Sequence, residues 1–517
     1  MKLQHPVSST LTSTNKTDQS RGGRSFRPST ILSAFALALA LSACAVGPDY
    51  TKPSLAVPAR WGAAGNVQTA RPSLAQWWTR LNDPLLNALI VEAAQGNLDV
   101  ATAKARVREA RAAYRQSVGS LYPTLSGTSA ATRQRTATGG ARGAGSESGS
   151  STASQYRAGF DASWEVDVFG KNERGAEAAG YGIEAAEEQV RLSLLTLIGD
   201  VASNYVQARG HQARIALAKR TATAQRETEQ LTRTRFDAGA VSAVDLANAT
   251  GQASNMEATI PTLEVAYAET IHRLSVLTGR APGDLTERMK RSSPIPRPKL
   301  PMPAGVPVDI LLFRPDVRQA ERLLAQATAR IGQAEGARYP TVSLTGNIAT
   351  SALRVGDLAR NSSISWAFGP TLNVPIFNSG QLQATVEVAQ AQRDQNFVGY
   401  RVSVLKALEE VENALVAITQ ERIRYRKLAF AVESYRRAAT LSRSLYQSGS
   451  TDFLMVLDAE RSLYSAEDAL VQSRVTLSTS YIALNKALGG GWDGVIDVSK
   501  PEVVDRAMGP RLALKRP

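Results

Sequence analysis

The chain has 517 residues, among them one cysteine and three histidines, and a formal net charge of +14. One cysteine excludes an intramolecular disulfide framework and any cysteine-rich metal cluster. His211 and His272 lie 61 residues apart with no ligand motif around them, so metal chemistry is not expected. Aromatic residues make up only 6%, and the prevailing Ala, Leu, Arg, Gln and Ser favour long helices over an all-β enzyme.

Residues 1–43 read as a signal peptide. Within 21–44 (RGGRSFRPSTILSAFALALALSAC) three arginines precede an apolar run from Ile31 to Leu41, and small residues follow. The run is shorter than the about 20 apolar residues a spanning helix needs. Cys44 follows Leu41-Ser42-Ala43, which resembles the bacterial lipobox, where the cysteine is diacylated and becomes the mature N-terminus. A covalent lipid on Cys44 is therefore expected, against the plainer alternative of a small buried thiol. Ala45 rather than Asp follows it, a choice that in such lipoproteins permits sorting to the outer membrane. The long stretch before the apolar run leaves the translational start open. The leader also carries +4 of the net charge, and the rest is spread without a run of five like charges. No basic patch with interleaved aromatics occurs, so a solvated surface is expected and nucleic acid is not.

After a lipidated extension over 44–82, the chain repeats itself. Leu121-Tyr122-Pro123-Thr124 is echoed by Arg338-Tyr339-Pro340-Thr341, at an offset of 217. Val168-Phe169-Gly170 is echoed by Ile376-Phe377-Asn378 at 208, Arg235–Gly239 by Leu445–Gly449 at 210, and Leu277-Thr278-Gly279 by Leu488-Gly489-Gly490 at 211. Landmarks in one order at nearly one offset mark a tandem duplication. The first copy spans 83–293, a Pro-rich joint 294–310, the second copy 311–492 and a C-terminal tail 493–517, the tail expected to be partly disordered.

Each copy has the same plan. A helical stretch (83–118; 315–337) leads into two strands, at about 121–135 and 155–168 in copy one and 341–350 and 363–376 in copy two. A helical hairpin follows, at about 171–278 and 380–488. No proline occurs between Pro375 and Pro501, so a helix from about 380 to 447 is unobstructed and would be roughly 100 Å long. Leu408, Val411, Leu415 and Ile418 are spaced 3, 4 and 3, a stripe suited to neighbouring helices. In copy one, Gly180, Gly182, Gly199 and Gly210 are expected to interrupt the first long helix, and Pro261 to kink the second.

In 155–168, Tyr156, Ala158, Phe160, Ala162, Trp164, Val166 and Val168 share one face, opposite Arg157, Asp161, Glu165 and Asp167. Alternation also runs through 363–376 and Val342, Leu344 and Ile348, and it is weakest in 124–135. In an exported chain this pattern fits a transmembrane β-barrel, although a soluble sheet with one wet face alternates likewise. The polar Gly/Ser-rich stretches 132–154 and 350–362 would then be extracellular loops. Four strands cannot close a barrel, and open edges are costly in lipid, so a cyclic oligomer of two, three or more chains follows.

Several stretches together resemble the outer membrane factor family, the TolC-like outer-membrane efflux ducts, in its lipoprotein (NodT-like) branch. They are Cys44–Tyr50 (CAVGPDY), Trp164–Gly170 (WEVDVFG), Arg314-Pro315-Asp316 with Glu321, Ile331-Gly332 and Pro340, Pro375-Ile376-Phe377, and Ala487–Trp492 (ALGGGW). The resemblance implies a mainly α fold with a membrane β-barrel. In it, duplicated helical hairpins form a periplasmic α-barrel, and four strands per chain enter a trimeric twelve-stranded outer-membrane barrel. It also implies a homotrimer lodged in outer-membrane lipid. Its partners would be a periplasmic adaptor (membrane fusion) protein and an inner-membrane resistance–nodulation–division transporter, and drugs or other small molecules would pass through it passively.

By the same resemblance the closed aperture lies where the hairpins turn, at Arg235–Asp245 and Leu445–Asp458. Leu454, Asp458 and Arg461 would ring it, with Asp245 as the copy-one candidate. A local Asp458–Arg461 pair with Leu454 packed between helices is the competing reading. Gly239 and Gly449 supply the turns, and Gly239, Ser242, Gly449 and Phe453 mark the expected adaptor contact. No nucleophile elbow, phosphate loop or paired Cys/His motif occurs, so no enzyme is expected. A duct for type I protein secretion or metal ions stays open, as does a poreless periplasmic coiled-coil lipoprotein acting as scaffold or adaptor.

Overall fold

The computed structural model describes residues 45–54, 74–137, 150–298 and 308–493. The leader, Cys44, most of the joint and almost all of the tail lie outside the described residues. In chain order the main elements are α1 (Pro84–Gly96), α2 (Leu98–Gly119), β1 (Thr124–Ala137), β2 (Ser150–Val166), α3 (Lys171–Asp237) and α4 (Ala243–Leu277). Then follow α5 (Pro315–Gly336), β3 (Thr341–Ala352), β4 (Ile364–Asn373), α6 (Gln381–Gln447) and α7 (Phe453–Ala487).

The duplication is metric. α3 and α6 each have 67 residues, α4 and α7 each have 35, and α2 and α5 each have 22. The long helices span about 100 Å at 1.5 Å per residue. Both start behind a left-handed glycine, Gly170 at φ +74° and Gly380 at φ +80°, which places the hairpins in a single register of 210. The smaller offset of the Val168-Phe169-Gly170 echo reflects two extra residues, Asn378 and Ser379, ahead of Gly380.

The same lock closes each hairpin against the helix before its strands. The N-cap residue Asn97 donates from Nδ2 to the carbonyl of Leu277, which ends α4, at 3.0 Å. Its counterpart Arg314 donates to the carbonyl of Ala487, which ends α7, at 2.5 Å, and pairs with Asp316 and Glu410 at 2.7 Å each. Such bonds satisfy carbonyls that helix ends leave open. Asn97 also caps α2 through its own side chain, which splits the expected helix 83–118 into α1 and α2.

α3 is continuous through Gly180, Gly182, Gly199 and Gly210, contrary to the expected interruption. The cause is tertiary. A Cβ on Gly210 would stand 2.4 Å from Val475 of α7, and one on Gly182 would stand 2.8 Å from Gln326 of α5. At Gly210 the missing Cβ lets α7 approach closely, which outweighs a propensity cost of about 1 kcal/mol, whereas Gly182 meets only the end of the flexible Gln326 side chain. α4 likewise continues through Pro261. Val411 and Ile418 of the predicted stripe are buried against α5 and α7, with Leu408 and Leu415 partly buried beside them. A second stripe on α6, including Val402, Leu405, Phe430 and Leu441, stays exposed in the single chain.

The four strands form one antiparallel meander in the order β1-β2-β3-β4, so the sheet runs across the duplication. Its register sorts the faces. Phe160 stands opposite Ile348, and Ile348 opposite Trp366; Ala162, Gly346 and Phe368 form the next row on that face, and Val166, Val342 and Leu372 a third. The other face carries Asp161 and Asn347, Ser163 and Thr345, and Glu165, Ser343 and Thr371. β1 starts at Thr124, three residues later than expected, and Leu121 instead accepts a hydrogen bond from Trp164 Nε1 at 2.9 Å. No described helix is long and apolar enough to cross a membrane.

Candidate functional site

Both hairpins turn in the same way at the end far from the sheet. Gly239 and Gly449 take φ of +71° and +77°. Around them Gly239 N–H bonds to Phe236 O and Ala240 N–H to Arg235 O, while Gly449 N–H bonds to Tyr446 O and Ser450 N–H to Leu445 O. This is the Schellman closure, which glycine permits without a Cβ penalty. The next helix starts on a capping side chain in each copy. Ser242 Oγ accepts from Asp245 N at 3.1 Å, and Asp452 accepts from Met455 N at 3.1 Å.

The candidate acids differ in kind. Asp245 lies at the third position of α4, and its carboxylate accepts from Ser242 N–H and Oγ at 3.1 and 2.7 Å, forming a capping box. Its counterpart in register is Met455, and the counterpart of Asp458 is Asn248, a neutral amide. Asp245, the copy-one candidate for the aperture, thus serves as a helix cap within the single chain. Asp458 and Arg461 are exposed, and neither has an ion pair or hydrogen bond among the described residues, so the local pair between them does not form. Leu454 is 56% exposed on the same helix face, while Phe453 and Val456 are buried on the opposite one.

Phe453, expected at the adaptor contact, is buried in the single chain. Its side chain is buried beside Tyr446, with ring centroids 6.0 Å apart, in a cluster with Ala249 and Val456. Gly239, Ser242 and Gly449 remain exposed at the turns. The residues that join the two tips escaped sequence reasoning. Arg235 of the first tip lies over the Tyr446 ring at 4.5 Å and donates to the carbonyl of Gln447, while Thr232 bonds the Tyr446 hydroxyl at 3.2 Å. No local motif announces such cross-repeat contacts. Asp452 was legible, because a capping acid directly before an apolar run is a helix-start signal.

Above the first tip, Glu229 ties α3 to α4. It accepts from Arg226 at 2.7 Å, Arg233 at 3.0 Å and Thr250 at 3.1 Å. The Arg226 hydrogen bond, aided by those from Arg233 and Thr250, holds its carboxyl below the ordinary glutamate value.

At the opposite end, the chain just after Cys44 is pinned where strand becomes helix. Val46 N–H donates to Phe169 O at 3.1 Å, and Arg174 pairs with Asp49 at 2.6 Å. A Cβ on Gly170 would stand 2.9 Å from Ala45, and one on Gly332 would stand 3.0 Å from Val46 O. The close approach accounts for the glycines of both motifs. Cys44 itself lies outside the described residues.

Comparison with known proteins agrees with this architecture. The family described as "Outer membrane efflux protein" matches residues 89–280 and 306–490. Nodulation protein T of Rhizobium leguminosarum bv. trifolii is 34% identical over 459 residues, covering 88% of this chain and 96% of that protein. The solvent efflux pump outer membrane protein SrpC of Pseudomonas putida is 32% identical over 471 residues, covering 89% and 97%. A solved structure of the outer-membrane channel OprN superposes with a TM-score of 0.79 at 33% identity, covering 87% of this chain and all of that one. With both hairpins and all four strands in their places, the chain belongs to the outer membrane efflux protein family and is an outer-membrane efflux channel.

Proposed function

We propose that the chain works as a homotrimer, the exit duct of a tripartite pump. Three four-stranded sheets would close a twelve-stranded barrel in outer-membrane lipid, and three pairs of hairpins would continue it through the periplasm as a helical tunnel. One observation carries this reading: a sheet with one apolar face and two open edges, β1 and β4, is joined directly to hairpins about 100 Å long. Open strand edges cost several kcal/mol per unpaired group in hydrocarbon, so closure through further copies is the stable solution. The exposed apolar stripe of α6, with Phe430 72% exposed, supports a neighbouring copy along the tunnel.

Within this assembly Leu454 and Asp458 line the closed aperture as an apolar ring and an acidic ring, with Arg461 of a neighbouring copy as the partner that Asp458 lacks. A periplasmic adaptor docks beside the turns at Gly239, Ser242 and Gly449, and a proton-driven resistance–nodulation–division transporter supplies the energy. A diacyl group on Cys44 anchors the chain in outer-membrane lipid. Substrates are small molecules, in keeping with the name of the solvent efflux pump relative. Purified protein reconstituted in planar bilayers tests the reading: a heat-modifiable oligomer that conducts ions is expected, and a non-conducting monomer would overturn it.

A further inference from the structure

A cleft of about 900 Å³ opens beside the start of α1, between α3, α7 and the residues that lead into the joint. Five arginines line it, Arg209, Arg288, Arg291, Arg297 and Arg474, against one acid, Asp83. That acid is already engaged, since Asp83 caps α1 through Leu85 N and Leu86 N and accepts from the Tyr205 hydroxyl at 2.7 Å. Arg288 is likewise paired, with Glu92 at 2.8 Å.

The other four arginines have no carboxylate within ion-pair distance among the described residues. Arg209 is the telling one, because it is only 3% exposed. Its bonds go to neutral acceptors, the Tyr205 hydroxyl, the Gln212 amide and the carbonyls of Met289 and Arg291. Arg474 Nε is buried without any hydrogen-bond partner, and Arg291 and Arg297 stand exposed at the rim. Arg209 reaches a carboxylate only through the Tyr205 hydroxyl, which donates to Asp83; a buried cation so thinly compensated is costly, and a rim of guanidinium forks matches the paired oxygens of carboxylates and phosphates.

We propose that this cleft is an oxyanion-binding site for a ligand bearing two or more carboxylate or phosphate groups. Among the described residues the only carboxylate lining the cleft is the engaged Asp83. Membrane headgroups are out of reach. Arg209 lies 38 residues beyond Lys171, the first residue of α3, which puts the cleft about 57 Å along the helix from the sheet. The ligand therefore comes from the periplasm, either as a free anion or as carboxylates fixed on the cell-wall polymer.

Calorimetry with inorganic pyrophosphate on the purified oligomer, at low and at raised salt, tests the site, and co-sedimentation with purified cell-wall sacculi separates the two sources. Saturable, salt-weakened binding is expected, reduced at least tenfold in the Arg291→Ser/Arg297→Ser double variant while its channel conductance is unchanged. Retention on sacculi that the double variant loses would assign cell-wall carboxylates; pyrophosphate binding without retention would assign a free anion. The site is overturned by the absence of saturable binding to either probe. It is equally overturned by binding that the double variant does not weaken, or by a carboxylate of a second subunit filling the cleft in the oligomer.

Discussion

The two hairpin tips are built on one scaffold and finished differently. Their helices match in length, and their turns share one hydrogen-bond pattern around Gly239 and Gly449. Yet the acid near the first turn, Asp245, is consumed by its own helix cap, whereas Asp458 of the second tip has no partner within the described chain. The aromatic residues diverge too. Tyr446 is 1% exposed between the hairpins, while its counterpart Phe236 is 38% exposed. Duplication thus produced two tips on one scaffold, one whose acid closes its own helix cap and one that leaves Asp458 and Arg461 without a partner among the described residues.

The largest expected break in that comparison comes from the aromatic pair. Tyr446→Ala removes a side chain packed on Phe453 and Arg235, and should cost about 3–5 kcal/mol of tip stability. Phe236→Ala should cost under about 1 kcal/mol. Amide exchange at the two turns checks this, and equal effects would erase the asymmetry.

A smaller difference lies in the caps. Ser242→Ala and Asp452→Ala should each destabilise the adjoining helix by about 1 kcal/mol, whereas Asp458→Ala should leave helix stability unchanged. Thermal unfolding of the three variants measures it, and a destabilised Asp458→Ala would mean a structural contact within the chain.

The pH response should divide the copies as well, because copy two has Ala439 where copy one has Glu229. Since the folded-state value of Glu229 is depressed, the stability it contributes is full above its unfolded value, near about 4.3, and is lost as pH falls through the folded value. Wild-type protein should therefore lose thermal stability on acidification below about pH 4.5 more steeply than Glu229→Gln. Parallel profiles would remove Glu229 as the brace of the first tip.

Much of this architecture was legible because it is periodic. Strand alternation at Phe160, Trp164 and Val166 and the heptad stripe at Val411 and Ile418 are local signals, and both faces are realised in the sheet and the core. β1 was faint because its apolar side is built from Leu125, Gly127, Ser129 and Ala131, and its place is set by pairing with β2. The glycines of α3 misled because propensity is a weak term beside close packing, as of Gly210 against Val475. At the tips, Ser242 and Asp245 carry the linear spacing of a capping box, but the buried aromatic contact of Phe453 depends on geometry that a linear pattern does not carry.

For the proposed assembly the asymmetry of the tips has one testable consequence: the acidic aperture should belong to the second tip alone. Single-channel conductance in planar bilayers, compared between Asp458→Ala and Asp245→Ala, decides it. Conductance should rise for Asp458→Ala, rise further with Arg461→Ala, and keep the wild-type value for Asp245→Ala. An unchanged Asp458→Ala channel, or an Asp245→Ala channel opened to the same degree, would contradict an aperture built from the second copy.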